Sequence, residues 1–163
     1  MTRADVEIRF LAADDWRLLR AARLRALRDS PQAFTSRYST ESVWTEQQWR
    51  SRFIAAEWLA AVEPGGVIGI AGLADGRPAH AQHHIESIWV APEHRRQGVF
   101  QSLITTLADR SRRSGHTELL LWVLEGNLDA VLAYRRLGFI ETGERGLTGP
   151  HPHQYERRLR LPL

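Results

Sequence analysis

The sequence lacks both cysteine and lysine across its 163 residues. Without cysteine the chain can form no disulfide, no thiolate metal site and no acyl-cysteine intermediate. Its 22 basic residues are all arginine, which excludes a Walker-type phosphate loop, a lysine Schiff base and a Ser-Lys dyad. No apolar run approaches the roughly 18 residues of a membrane span, and the first residues lack a signal-peptide core. We therefore expect one cytoplasmic domain over residues 1–163, with no membrane partner.

The arginines give the chain a positive net charge, but they are not clustered in one basic segment. The formal net charge is +3 and the pI about 10.1, but 19 acidic residues are interspersed and no long basic run occurs. A nucleic-acid binder with steeply salt-dependent affinity is one interpretation of such a charge. A modest preference for anionic ligands, or an arginine-rich composition alone, explains the same pattern, and we expect no nucleic-acid partner.

Hydrophobic periodicity predicts a mixed α/β domain without repeats or linkers. Turns are marked at 64–66 and 75–78, and a Thr45-x-x-Gln48 capping box opens the second helix. Glu118–Leu124 is nearly continuous in apolar residues, which is typical of a strand covered on both faces. The predicted strands are Asp5–Leu11, Trp58–Val62, Val67–Leu73, Ile85–Val90, Glu118–Leu124, Phe139–Glu141 and Tyr155–Leu161. The predicted helices are Asp14–Arg28 (with Asp14 as its cap), Thr45–Ala56, Gln97–Arg113 and Asn127–Leu137.

The segment Val90–Phe100 combines a strand end, a basic turn with glycine and the start of an amphipathic helix. The backbone N–H groups at a helix start have no partner within the helix and lie in a positive field, so such a turn is suited to a phosphate group. Arg95 and Arg96 can add charge-assisted hydrogen bonds to the same phosphates. A solvated turn is the alternative explanation for the two arginines.

A second motif, Asn127–Phe139, follows one strand later and has the pattern N-x-x-A-x-x-x-Y-x-x-x-G-F. Together with Arg95–Phe100 it resembles the GNAT superfamily of acetyl-CoA-dependent N-acetyltransferases, and the resemblance spans nearly the whole chain. It implies a single-domain α/β (α+β) fold, in which a central, mostly antiparallel sheet of about seven strands is flanked by about four helices. It also implies an acyltransferase that moves an acetyl group from acetyl-CoA to a primary amine by direct attack in a ternary complex.

The resemblance implies cofactor-binding roles residue by residue. Main-chain groups of Ile88–Val90 would pair with the pantetheine arm as an added strand. The amides of Arg95–Gln101 would surround the pyrophosphate, and Asn127 would sit beside the pantetheine. Asn127 is also a natural N-cap residue, and capping alone is the alternative for it. The implied acetyl-CoA-binding residues are Ile88, Trp89, Val90, Arg95, Arg96, Gln97, Gly98, Val99, Phe100, Gln101, Asn127 and Tyr134.

Phe100 departs from the family pattern, which has Gly or Ala at this place. It shares an apolar arc of the helix with Val99, Leu103 and Leu107, so we expect the ring to pack inward against the sheet while the amide faces phosphate. A ring that faced the cofactor would instead weaken binding. That outcome would favour the alternative function, a catalytically weak GNAT-like module that binds or senses acyl-CoA.

Acyl transfer to an amine needs a base for the amine proton and an acid for the departing thiolate. Glu86 lies on the motif strand with the same side-chain parity as Ile88 and Val90, and it is the first candidate for the base, directly or through water. Pairing with a nearby arginine is the alternative for this carboxylate. Tyr134 matches the family's general-acid tyrosine, and a buried core aromatic is the alternative for it.

Three other side chains compete for the role of base. His83 and His84 start the same strand, where adjacent residues point to opposite faces, so only one of them can serve. Glu125 ends the following strand. Ribosomal-protein N-terminal acetyltransferases of the superfamily carry Glu five residues before the asparagine, where this chain has Trp122, and this difference weakens that substrate assignment.

The sequence leaves the acceptor open: a small amine, an amino acid, an antibiotic, a protein terminus or a lysine. The loop His151–His153 and the aromatics between Ser30 and Trp49 are candidates for an acceptor pocket, with a solvated loop and core packing as the alternatives. No metal-ligand spacing such as His-Glu-x-x-His occurs, so we expect no metal. The resemblance also leaves a homodimer open, since homodimers are common in the family.

Overall fold

The computed structural model describes residues 6–75, 82–148 and 153–163. Within them seven strands form a single sheet, as the resemblance implies. The strands are β1 (Glu7–Phe10), β2 (Glu57–Glu63), β3 (Gly66–Ala74), β4 (His83–Val90), β5 (Glu118–Leu124), β6 (Ile140–Leu147) and β7 (Tyr155–Pro162). The helices are α1 (Trp16–Asp29), α2 (Tyr38–Glu41), α3 (Glu46–Ile54), α4 (Val99–Arg113) and α5 (Leu128–Arg136), with 3-10 turns at Ala13–Asp15, Pro31–Ala33 and Pro92–His94.

The sheet is mixed, with the strand order β1-β2-β3-β4-β5-β7-β6. β4 and β5 run parallel, and every other neighbouring pair is antiparallel. In the described residues the β4–β5 ladder covers His83–Ile85 opposite Leu119–Leu121, after which β4 pairs with β3 alone. The two central strands therefore separate toward their C-terminal ends and leave an opening in the sheet.

A β-bulge at Ser87 reorders the side chains of β4. Glu86 and Trp89 are three positions apart, yet their partners on β3 are only two positions apart and so lie on the same face. Ser87 adopts a left-handed backbone with φ 56°, which accommodates the extra residue. Glu86 therefore shares its face with Trp89. The predicted parity, which grouped Glu86 with Ile88 and Val90, is wrong because it assumed regular alternation.

Helices cover both faces of the sheet. α1 and α3 pack on the face that carries Trp58 and Glu86, which we call the α1 face. α4 and α5 pack on the other face, which we call the α4 face; there a Cβ on Gly69 would meet Val99 and Leu103 at 3.3 Å. Leu103 is fully buried, and its truncation to alanine would cost about 2–5 kcal/mol.

The helices end within two residues of the predicted bounds, with one changed cap. The capping box of α3 is confirmed, because Thr45 Oγ1 accepts from the N–H of Gln48 at 3.3 Å and Gln48 Oε1 accepts from the N–H of Thr45 at 2.8 Å. The prediction that Asp14 caps the first helix is wrong. Asp15 precedes α1, and its carboxylate accepts from the N–H of Ala12 at 2.9 Å.

The strand predictions are confirmed in order and number, but β6 is longer than the predicted Phe139–Glu141 and the four-residue helix α2 was not predicted. Most of the predicted turn at 75–78 and loop at 151–153 lies outside the described residues. The longest helix in the described ranges is α4, with 15 residues, and no helix there is long and apolar enough to cross a membrane.

Candidate active site

The opening between β4 and β5 leaves one edge of β4 available to a ligand. Beyond Ile85 the described strands give β4 no partner on the β5 side, while Trp89 and Val90 pair with β3 on the other side. An extended ligand can add itself to such an edge as a further strand. Ile88–Val90, predicted to contact the pantetheine, lie along this edge.

The turn between β4 and α4 presents N–H groups at a helix start. Arg96 and Gly98 both have left-handed backbones, with φ 61° and 88°. Turns of this kind form concave groups of N–H donors that suit anions. The N–H of Ser102 donates to the carbonyl of Gly98 at 2.9 Å, so the N–H groups of Val99–Gln101 precede the first internal hydrogen bond of the helix. These donors and the positive end of the helix dipole are what a phosphate needs.

Arg95 holds this turn against the rest of the protein. Its Nε donates to the last carbonyl of β4 at 3.0 Å, and its Nη2 donates to Asp29 Oδ2 at 2.7 Å. Burial alone would raise the pKa of Asp29, but hydrogen bonds from Ser30, Trp89 and Arg95 outweigh it and lower that pKa. Arg95 and Arg96 are both exposed, but Arg95 already has an ion pair with Asp29.

Phe100 and Tyr134 pack against each other on the α4 face. Their ring centroids are 5.3 Å apart, and Phe139 lies 5.3 Å from Tyr134 as well. The ring of Phe100 is half-buried against the core, and its partner on α5 was not foreseen in the sequence. Tyr134 is 4% exposed, and burial raises its pKa well above the ordinary tyrosine value. Tyr134 therefore keeps its proton at neutral pH.

Both ends of α5 follow the second motif. Asn127 Oδ1 accepts from the N–H of Ala130 at 3.3 Å, so Asn127 is an N-cap. At the other end Gly138 has φ 97°, and the N–H of Phe139 donates to the carbonyl of Tyr134 at 3.1 Å, as in a glycine-terminated helix. These two caps fix the length of α5 and the turn that carries Tyr134.

Glu86 lies on the α1 face and is paired with an arginine of α3. Its Oε1 accepts from Arg52 Nη1 at 2.8 Å, and Arg52 Nη2 donates to Ser87 Oγ at 3.1 Å. The Glu86 side chain is 28% exposed, so a ligand can reach the carboxylate. The alternative partner foreseen for Glu86 is therefore present, and it orients the carboxylate while leaving it accessible.

A buried ion pair between α1 and α2 holds the β4 bulge beside Glu86. Arg23 Nε and Nη2 donate to the two carboxylate oxygens of Glu41 at 2.9 and 2.8 Å, and both side chains are almost inaccessible. Burial alone would raise the pKa of Glu41, but the hydrogen bonds from Arg23 outweigh it and lower that pKa. Arg23 Nη1 also donates to Ser87 Oγ at 3.0 Å, so two arginines, Arg23 and Arg52, bind the bulge.

The two histidines of β4 point to opposite faces, as predicted. On the α4 face, His83 Nδ1 lies 2.8 Å from Ser111 Oγ and its ring lies 3.7 Å from that of His116. His84 shares the α1 face with Glu86. Burial lowers the pKa of His84, so its imidazole is neutral at pH 7 and can accept a proton. The α1 face therefore carries two of the candidate bases.

Glu125 belongs to a separate ionic cluster on β6 and β7. Arg145 donates to both carboxylate oxygens of Glu125 at 2.7 and 2.9 Å, and Arg157 Nε lies 3.4 Å away. The hydrogen bonds from Arg145 lower the pKa of Glu125. This cluster lines a cleft of about 440 Å³. Glu125 is thus held by two arginines, whereas Glu86 pairs with Arg52.

The aromatic residues between Ser30 and Trp49 pack mainly into the core. Trp49 is 1% exposed, and the Trp44 ring packs edge-on against it at 5.0 Å. Tyr38 instead accepts a hydrogen bond from Arg28. Core packing is therefore confirmed for the two tryptophans.

The residues that hold Glu86 were missed in the sequence. Arg52 lies 34 residues before Glu86, and Arg23 lies 64 residues before Ser87. Neither arginine belongs to a local motif. The capping box at the start of α3 was the sequence signal for the helix that carries Arg52. A capping box is local, so it does not predict where the helix packs.

The fold of this chain is similar to that of solved acetyltransferases. A Salmonella typhimurium protein solved with its cofactor acetyl-CoA has the same fold, with a TM-score of 0.76, 21% sequence identity, and coverage of 98% of this chain and 95% of that one. The family model described as the acetyltransferase (GNAT) family matches residues 23–139. The chain therefore belongs to the GNAT acetyltransferase family.

Parts of the chain also resemble longer proteins. Human N-acetyltransferase 8 is 29% identical over 89 residues, which are 53% of this chain and 39% of that protein. The streptothricin acetyltransferase of Streptomyces lavendulae is 44% identical over 59 residues, which are 36% of this chain and 31% of that protein. The matched segments span less than half the length of either relative.

Proposed function

We propose that the protein is an N-acetyltransferase that transfers an acetyl group from acetyl-CoA to a primary amine by direct attack in a ternary complex. One observation carries this proposal: Glu86 lies on the α1 face where β4 leaves β5, while on the α4 face Tyr134 packs against Phe100, in the first turn of the helix that begins beside the opening. A base and an acid on opposite faces suit a reaction in which the amine arrives from one side and the thiolate departs on the other.

The residues present fit acetyl-CoA. The edge of β4 at Ile88–Val90 suits the amide groups of a pantetheine arm, and the N–H groups of Val99–Gln101 with the exposed Arg96 suit a pyrophosphate. Asn127 lies where β5 ends and α5 begins, next to the same opening. A structural neighbour was solved with acetyl-CoA, and the two relatives are acetyltransferases; both findings support the same ligand.

Acetyl-CoA supplies the activated acetyl group as a thioester. On the α1 face, Glu86 accepts a proton from the amine, directly or through a bridging water, and Arg52 keeps the carboxylate oriented. On the α4 face, Tyr134 carries its proton at neutral pH, as an ordinary tyrosine does, and donates it toward the negative charge that develops on the departing sulfur. Burial raises the pKa of Tyr134, so the hydroxyl stays protonated at alkaline pH as well.

The alternative function, a module that binds acyl-CoA without turnover, depended on Phe100. Its ring packs on Tyr134 and the core, while the backbone of Phe100 belongs to the first turn of α4. A large side chain at this position is therefore compatible with phosphate binding by the amides around it. The packing of Phe100 thus favours the enzyme over the sensor.

The test is an acetyl-CoA turnover screen over chemically diverse amines, in which thiol release is followed and the product is identified by mass. We expect thiol release that depends on the amine and a product heavier by one acetyl group. Tight acetyl-CoA binding without release for every amine would favour the sensor. Absence of acetyl-CoA binding would contradict both functions.

A further inference from the structure

Glu156 on β7 has a carboxylate without a partner. It is half-buried, yet no hydrogen bond or ion pair reaches it within residues 6–75, 82–148 and 153–163. The other buried or half-buried carboxylates in those ranges each pair with an arginine or a histidine: Asp15, Glu41, Glu63, Glu86, Glu118 and Glu125. Glu156 is therefore the exception among the part-buried carboxylates of these ranges, in a chain with 22 arginines.

The sheet register places Glu156 on the α1 face. Glu156 pairs with Leu124 on β5, and Leu120 on the same strand pairs with His84 on β4. Leu120 and Leu124 are four residues apart, so their side chains share one face with His84 and therefore with Glu86. Glu156 thus faces the side of the sheet from which the amine would approach.

The separation between Glu156 and Glu86 follows from the same register. Ile85 is level with Leu121, so Glu156 lies about two residues further along the strands than Glu86 and two strands across. At about 3.3 Å per residue and 4.8 Å per strand, the two Cα atoms lie about 12 Å apart or more, since β4 bends away from β5. A molecule several carbon atoms long can therefore reach both carboxylates.

The nearest arginine on the same face of β7, Arg158, does not pair with Glu156. Arg158, two residues on and on the same face, donates to Glu144 at 2.7 Å and lies over the Trp122 ring at 5.7 Å. Burial without a partner raises the pKa of Glu156, because it disfavours the charged form. A cation brought by a ligand would relieve this cost.

We infer that Glu156 binds a second cationic group of the acceptor, so that the preferred acceptors are diamines or oligoamines rather than monoamines. This inference rests on the proposed acetyl transfer. One amino group lies near Glu86 at the opening and is acetylated, while the second stays protonated beside Glu156. Glu156 acts as a specificity determinant and takes no part in the chemistry.

The test compares α,ω-diaminoalkanes of graded length with ω-amino alcohols of the same lengths, which lack the second cation. We expect the wild-type protein to show a higher kcat/KM for the diamine at the best length. Glu156→Gln should lower kcat/KM for that diamine about 10- to 100-fold, the range of a lost hydrogen bond to a charged group, through KM at unchanged kcat. Its kcat/KM for the amino alcohol should change less than about twofold, and Glu156→Asp should retain part of the preference.

Glu118→Gln is the matched control, because Glu118 lies on the same face at the far end of β5 and pairs with Arg160. It should leave the diamine preference intact. Equal losses for both acceptors in Glu156→Gln, or no diamine preference in the wild-type protein, would overturn the inference while the transferase stands.

Calorimetric titration of the same diamine keeps the two proposals separate, because it needs no turnover. Diamine binding that weakens in Glu156→Gln supports the role of Glu156 even if no amine releases thiol, in which case the transferase fails alone. Equal diamine binding by the wild type and Glu156→Gln overturns the inference.

Discussion

The two faces of the sheet differ sharply at the opening between β4 and β5. The α1 face carries ionisable side chains in hydrogen-bonded pairs, with Glu86 against Arg52 and His84 close by. The α4 face carries packed aromatic rings, with Tyr134 between Phe100 and Phe139. The same opening therefore has a charged side and an apolar side.

This difference teaches how one fold can hold a candidate base and a candidate acid on opposite faces of the same sheet. Ion pairs and partial exposure keep a carboxylate ionised, whereas an apolar environment keeps a phenol protonated. On the α1 face burial also lowers the pKa of His84, and on the α4 face it raises the pKa of Tyr134. Burial thus favours the neutral form of each, a neutral base on one face and a neutral acid on the other.

The largest expected effect comes from removing the buried arginine behind the charged face. Arg23→Met leaves the Glu41 carboxylate buried and unpaired, and we expect the free energy of unfolding to fall by about 3–5 kcal/mol. Chemical denaturation measures it. Arg110→Met is the control, since its bidentate pair with Glu57 is largely exposed and should be worth about 1 kcal/mol or less. An equal fall in the free energy of unfolding in both variants would contradict the view that burial makes the Arg23–Glu41 pair the more important one.

The next effect tests which side chain on the α1 face is the base. Glu86→Gln should lower kcat about 10²- to 10³-fold, with little change in acetyl-CoA affinity, because it removes proton acceptance and keeps a similar shape. His84→Gln should lower kcat by less than about tenfold if Glu86 is the base. Steady-state kinetics at saturating amine measure both. The reverse order of losses would transfer the role to His84.

The apolar face is tested by removing a single hydroxyl. Tyr134→Phe should lower kcat about 10- to 100-fold while the aromatic packing and the acetyl-CoA dissociation constant stay nearly unchanged. An unchanged kcat would remove Tyr134 from the role of acid. Because burial raises the pKa of Tyr134, the acid form persists as pH rises, so wild-type kcat should not fall through an alkaline limb near the ordinary tyrosine value of about 10.

The smallest effect tests the departure at Phe100. Phe100→Ala removes a half-buried ring from Tyr134, and we expect about 1–2 kcal/mol less stability from the lost apolar burial. Acetyl-CoA binding should persist, because the amides at the start of α4 are unchanged. Thermal denaturation and a cofactor titration check these outcomes. Stronger cofactor binding in Phe100→Ala would show that the ring obstructs the site.

Much of the fold could be predicted from local patterns. The strand Glu118–Leu124, the Thr45 capping box and the Asn127 cap with Gly138 all depend on residues within a few positions of one another, and the structure confirms each of them. β6 was predicted too short, because its polar, glycine-containing second half lacks the alternation that marks a strand. The helix α2 is too short to show any helical period.

The face on which Glu86 lies could not be predicted. Regular alternation along β4 placed it with Ile88 and Val90, and the bulge at Ser87 reversed that assignment. The bulge is itself bound by Arg23, which belongs to a helix 64 residues earlier in the chain. A one-residue shift of this kind has no local signature, because it depends on what packs against the strand.

By itself the sequence determined the seven strands, the four longer helices, the glycine-containing turn before α4 and the family. Each of these depends on backbone hydrogen bonding and side-chain period over short spans, which local composition dictates. Only the tertiary structure decided which side chains meet: Glu86 pairs with Arg52, Phe100 packs on Tyr134, and Glu156 has no partner in the described residues. Those neighbours come from parts of the chain tens of residues apart, and they are set by strand register, a bulge and helix packing rather than by any motif.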